Sequence, residues 1–203
     1  LAVAEDGSAV VPLLGGLGGV NVMAREIAAG LGIAAAITTS GELRFGTCLL
    51  NPPSGYALGD LELGKRFVSD LLSGQHVRIE GAAPWLAQAQ LPEDEHAQLA
   101  IHVGCAEREP AANELLIYPR SVLVAVSATV PDLVNAVRAA LHNAGIAVQA
   151  LACLLASDRE MANPALREAA WALGVPLRFA STAAEAEVSE LAQQAVPQLL
   201  PPI

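Results

Sequence analysis

The chain has 203 residues, of which 53% are hydrophobic and only 3% aromatic, so the core it can build is aliphatic and alanine-rich, as in α/β layers of one large or two small domains. A formal net charge of −10 without a basic patch argues against nucleic acid, and it leaves anionic ligands dependent on local donors. No apolar run reaches the length of a membrane span, and no signal-peptide pattern opens the chain.

Residues Leu1 to Glu5 read as the end of a strand, and Glu5-Asp6-Gly7-Ser8 as a hairpin turn into a buried strand over Ala9–Leu14. Four glycines in five positions follow, Gly15, Gly16, Gly18 and Gly19. A helix then carries Val20, Met23, Ile27 and Leu31 as one apolar face. Gly30 and Gly32 stop it, and Ala34 to Thr39 enters a second strand, which makes a βαβ unit. A helix starting behind a glycine-rich turn points unpaired N–H groups and its positive dipole end at whatever occupies the turn. The spacing is not G-x-G-x-x-G, and no Lys-Ser or Lys-Thr follows, so neither nucleotide fingerprint is met. A tight crossover with close helix–strand packing is the alternative reading of the turn, and an unrelated α/β anion or nucleotide binder the alternative for the chain.

Thr38 to Glu42 reads as a polar loop, and Asn51-Pro52-Pro53-Ser54-Gly55 as a breaker. Asp60 to Gly74 reads as a helix with Leu63, Phe67, Leu71 and Leu72 inward, and His76 to Glu80 as a strand with one wet face. The pattern then weakens to Glu109, apart from a short strand at Leu99–Val103 and acidic turns at Pro92–Glu95 and Glu107–Pro110. A new unit begins at Leu115. Its central buried strand is Val122–Val126, and Pro131 lies in the first turn of the next helix with Asp132 at its positive end. Leu133, Val134, Val137 and Leu141 face inward, Ala150–Leu155 is a strand, and Asn163-Pro164 opens a helix that stops at Gly174. Leu177–Phe179 is a third strand, Ala183–Ala195 a last helix, and Pro197–Ile203 a tail. The fold class expected is α/β: two small units with mainly parallel sheets flanked by helices, the second in three layers. The units divide as 1–108 and 109–203, within Gly104–Asn113.

Cys48, Cys105 and Cys153 are widely separated and odd in number, which suits buried thiols in the cytoplasm rather than a disulfide framework or a metal site. The chain starts at Leu1 rather than Met, as an excised domain would.

Leu13-Leu14-Gly15-Gly16-Leu17-Gly18-Gly19-Val20-Asn21 followed by Ile37-Thr38-Thr39 resembles the cobalt-precorrin-5A hydrolase family of cobalamin biosynthesis. Tyr118-Pro119-Arg120 to Phe179 is similar to that family's C-terminal domain, best at Asp158…Asn163-Pro164-Ala165-Leu166 and at Gly174 to Phe179. That domain also occurs alone or fused to a precorrin methyltransferase. The chain departs from the family pattern in three places. The histidine after the paired glycines is Leu17, Gly-x-Gly-Cys is Ala125-Val126-Ser127-Ala128, and an expected lysine and acidic residue are Glu160 and Asn163.

The resemblance implies hydrolytic opening of a δ-lactone on the macrocycle with release of acetaldehyde. No resident cofactor is implied, and cobalt enters only as part of the substrate. The reaction needs an activated water and donors for a developing oxyanion. The turn glycines Gly15, Gly16, Gly18 and Gly19 with Asn21 suit the donors. Glu42 and Asp158, after strand ends where open α/β sheets place ligands, are the candidate catalytic carboxylates, with plain loop carboxylates as the alternative. His102 lies in an apolar run and reads as a packed core histidine. Thr38, Thr39 and Ser127 sit at strand ends as binding candidates or turn caps. Arg44 and Arg120 are candidates for the carboxylates of a corrinoid, or else surface charges. The partners expected are a precorrin intermediate, a methyltransferase of the pathway, and a second copy of the chain; a corrinoid-binding carrier domain with weakened catalysis is the alternative function.

Overall fold

The computed structural model describes residues 1–14, 20–37 and 39–181, so the expected last helix and tail lie outside the described residues. The chain forms two compact units, one of Leu1–Gly104 with Pro110–Ile117, the other of Cys105–Glu109 with the chain from Tyr118 onward. As the composition implies, the class is mixed α/β, with small sheets that pair largely in parallel.

The first unit opens with β1 (Ala2–Val3) and β2 (Ala9–Val11), paired antiparallel across a turn where Gly7 takes a φ of 69°. Helix α1 (Val20–Leu31) leads to β3 (Ala34–Ala35), which pairs parallel with β2 and completes the expected βαβ unit. The buried face of α1 differs from the one read from spacing. Asn21, Ala24 and Ala28 are buried, whereas Met23 and Leu31 are 54% and 57% exposed. Ala24 and Ala28 pack with Val10; their small side chains let the helix lie close on a short sheet, which turns the longer apolar residues outward.

Ser40–Phe45 is a helix, α2, where the sequence suggests a polar loop. Six residues are too few to show a helical period, and the anchor is tertiary: Phe45 is 1% exposed in the main core, and Gly46 closes the helix with a φ of 71°. Next come β4 (Tyr56–Leu58), α3 (Leu61–Leu72), β5 (Val77–Glu80), β6 (Leu99–Val103) and β7 (Glu114–Pro119). Asp60 caps α3 by accepting from Leu63 N at 2.8 Å, and Phe67 and Leu71 are fully buried beneath it. The strand order is β4-β7-β6-β5, with β5, β6 and β7 mutually parallel. Leu115 therefore does not begin a new unit. It pairs with Ile101 inside this sheet, because the run Leu115–Ile117 is buried on both faces, as a central parallel strand must be.

The second unit runs β8 (Val122–Ala125), α4 (Leu133–Asn143), β9 (Leu151–Ser157), α5 (Pro164–Leu173), β10 (Leu177–Ala180). Its order is β10-β9-β8, all parallel, so the central strand is β9 and not Val122–Val126. Burial gives the reason: Leu154, Leu155 and Ala156 are all 0% exposed, whereas every residue of β8 is only half-buried. The register shifts by one residue at Ala152, since Val122 faces Leu151 and Leu123 faces Cys153. Helices α4 and α5 share one cluster with Leu151, Leu154 and Ala156, so the described residues supply two layers rather than three. Asp132, at a φ of 48°, caps α4, which leaves Pro131 outside the helix; Asn163 caps α5 and Pro164 opens it as expected.

Candidate functional site

Helix α1 sets Asn21 and Arg25 one turn apart, on the same side of the helix. Helix α2 brings Glu42 up to them in its first turn, just after Thr39. Asn21 Nδ2 donates to Thr39 Oγ1 at 2.9 Å and to Glu42 Oε2 at 2.7 Å. Glu42 can only accept, so the Asn21 amide is oriented with Nδ2 toward Glu42 and Thr39. Arg25 Nη2 donates to Glu42 Oε1, forming an ion pair. Asn21 and Glu42 are 3% and 7% exposed, while the Arg25 side chain is 48% exposed. A buried carboxylate is thus neutralised by a guanidinium that itself reaches solvent. Such pairing is what allows an acid to be buried at all.

The cluster forms one wall of a cleft of about 750 Å³, within the usual range for ligand pockets. Val22 and Met23 of α1 and Pro52 and Pro53 opposite give it apolar surface, and Thr47, Asn51 and Ser54 give it neutral polar groups. Its charged lining residues are Arg25, Glu26 and Glu42. Cys48 also lines it; burial pushes that thiol above its ordinary range, with the Glu42 charge acting in the same direction.

Of the residues singled out from sequence, Asn21, Thr39 and Glu42 come together here. Gly15, Gly16, Gly18, Gly19 and Thr38 lie outside the described residues. Arg44 faces elsewhere: its Nη1 donates to Leu72 O at 2.7 Å and its guanidinium sits 5.9 Å from the Phe45 ring, tying α2 to α3. Arg120 is exposed just after β7. In the second unit, Ser127 Oγ and Ala128 N both donate to Glu160 Oε1, at 2.9 and 2.8 Å, and Asp158 Oδ2 accepts from Ser181 Oγ at 2.6 Å. These lie at the C-terminal ends of the strands, where the sheet rule expects ligand groups, but their donors and acceptors meet one another. His102, 8% exposed on β6, has Nδ1 2.7 Å from Glu80 Oε2 and Nε2 2.9 Å from Glu114 Oε1, so it ties β5, β6 and β7 together. Among the described residues no group of His, Cys, Asp and Glu is arranged to hold a metal ion.

Arg25 is the residue sequence reasoning passed over. The one signal for it is its spacing four residues after Asn21, which puts a cation on the same helix face as a polar residue that the fold buries.

Residues 1–42 match the family model described as cobalamin synthesis G N-terminal. The matched stretch, 42 of 203 residues, contains Asn21, Arg25, Thr39 and Glu42, so the whole polar cluster falls within it. Among solved structures, the chain is similar to one described as a cobalamin biosynthesis protein G homolog from Sulfolobus solfataricus, at 15% identity and a TM-score of 0.29. The likeness covers 92% of this chain and 59% of that one, so this chain spans less than two thirds of its length. No curated protein matches the chain. Among the described residues no helix is long and apolar enough to cross a membrane.

Proposed function

We propose that the chain binds a corrinoid intermediate of cobalamin biosynthesis in the cleft along α1 and opens the δ-lactone of cobalt-precorrin-5A, with release of acetaldehyde. The observation that carries this reading is the cobalamin synthesis G match over residues 1–42, the segment holding Asn21, Arg25 and Glu42. The lining agrees with such a ligand, since a corrinoid presents a large apolar ring edged with carboxylates. Val22, Met23 and the Pro52-Pro53 turn suit the ring, and Arg25 suits its edge. In the reaction, water adds to the lactone carbonyl and the acyl–oxygen bond breaks, leaving a carboxylate and a freed alkoxide on the macrocycle; the alkoxide then collapses to a carbonyl, the carbon–carbon bond to the ring breaks with its electron pair and then a proton going to the ring, and the two carbons leave as acetaldehyde. Backbone N–H groups of the Gly15–Asn21 stretch would receive the oxyanion. Glu42 and Asp158 are the candidate bases, and only Glu42 lines the cleft. The pathway partners proposed are a precorrin methyltransferase and a second copy of the chain, in the cytoplasm.

One observation favours a second reading, a corrinoid-binding or carrier domain with little catalysis. Both Glu42 oxygens already accept hydrogen bonds, Oε1 from Arg25 and Oε2 from Asn21, which leaves less of the carboxylate to bind and orient a water. Leu17, standing where the resembled family has histidine, points the same way. Spectrophotometric titration with a cobalt-corrinoid tests the shared part: a saturable spectral change supports both readings, and no change overturns both. Acetaldehyde release from cobalt-precorrin-5A then supports the hydrolase, and binding without release supports the carrier.

A further inference from the structure

We infer that Arg25 is the carboxylate-binding residue of the cleft, held in a fixed pose by Glu42, and that the ligand therefore offers a carboxylate next to an apolar surface. The substrate class rests on the function proposed above; the role of Arg25 rests on the geometry alone.

Three observations carry it. First, Arg25 is the cation among the described residues that line the cleft. Second, it donates to Glu42 through Nη2 and to no other described residue, while its side chain stays 48% exposed. A guanidinium has five N–H donors in a rigid fork, so an edge matched to a second carboxylate is left over. Third, the pose is prepared in advance. Glu42 is itself held by Asn21, and Asn21 by Thr39, so the rotamer freedom of a long arginine is restricted before any ligand arrives. An arrangement meant only to stabilise the helix contact needs no buried acid, because an apolar pair of similar size serves as well. The apolar half of the requirement comes from Val22 and Met23, 47% and 54% exposed on the turn before Arg25. Glu26, on the next position of α1, repels anions from that side, so the ligand carboxylate is confined to the Arg25 edge.

The test uses the full chain and three probes: cobyrinic acid, whose macrocycle carries free carboxylates; its methyl ester; and citrate. Arg25→Lys keeps a cation for Glu42 and removes the fork. The double change Arg25→Gln with Glu42→Gln removes both charges together, so no buried carboxylate is stranded. Thermal unfolding checks that each variant folds. The wild type should bind the acid more tightly than the ester. The double variant should weaken acid binding by about tenfold or more and leave the ester unchanged, with Arg25→Lys between them. Equal binding of acid and ester by the wild type, or undiminished acid binding by the folded variants, overturns the inference. If the wild type binds citrate through Arg25 but neither corrinoid, the inference stands and the corrinoid reading falls. If it binds none of the three, both fall.

Discussion

Replacing Asn21 by alanine removes two hydrogen bonds at the centre of the polar cluster, one to Thr39 and one to the Glu42 carboxylate. A neutral hydrogen bond contributes about 0.5–1.5 kcal/mol and one to a charged group about 1.5–3 kcal/mol, so the loss should be about 2–4 kcal/mol. At roughly 2–4 °C per kcal/mol for a chain of this size, Tm should fall by roughly 4–16 °C. The two tryptophans make the assay specific, since Trp85 belongs to the first unit and Trp171 to the second. Trp171 is 89% exposed, so Trp171→Phe costs little and leaves Trp85 fluorescence as the reporter of the first unit. Urea unfolding in that background should show a lower midpoint with an unchanged slope. Asn21→Asp sharpens the test. It sets a second carboxylate where Glu42 Oε2 now accepts at 2.7 Å, replacing a hydrogen bond by like-charge repulsion, so it should lower the urea midpoint further than Asn21→Ala does. A loss below about 1 kcal/mol for Asn21→Ala, or an Asn21→Asp variant no less stable than Asn21→Ala, would refute the claim that this cluster binds α2 to α1.

Burial raises the pKa of both Cys48 and Cys153, so each holds less thiolate at a given pH than an ordinary cysteine. Iodoacetamide labelling near pH 8, followed by mass spectrometry, should be slower at both than at a free thiol and should quicken as pH rises. Gly81 has a φ of 93°, and a Cβ there would fall 2.2 Å from Val103 O, so Gly81→Ala should destabilise the first unit by about 1–3 kcal/mol or more, read by Trp85 fluorescence. Leu154→Ala on the central strand should cost about 2–5 kcal/mol in chemical denaturation, and Leu123→Ala on edge strand β8 clearly less.

The elements that sequence reading found are those whose signals are local. Asn163-Pro164 and Gly174 bound α5 as expected, and Asp60 caps α3 above the Phe67–Leu71 stripe. The elements it missed depend on what lies across the chain. Helix α2 shows no period of its own and exists because Phe45 reaches a core built from residues far downstream. The buried face of α1 is set by how near Ala24 and Ala28 let it come to β2, which no count of apolar residues reveals. Strand β7 pairs backward with β6, a choice settled by burial on both faces rather than by the order of elements. At the site, Asn21, Thr39 and Glu42 stood out individually, each for its place near a turn or strand end. Their meeting, and the part of Arg25 in it, required the packing of α1 on α2.

Anaerobic incubation of the purified chain with cobalt-precorrin-5A, with acetaldehyde measured beside the corrinoid spectrum, tests the proposed reaction most directly. Lactone opening by this chain predicts a spectral change accompanied by acetaldehyde in step with substrate consumed, lost in the Arg25→Gln, Glu42→Gln double variant. An unchanged macrocycle with no acetaldehyde above the protein-free control would contradict it.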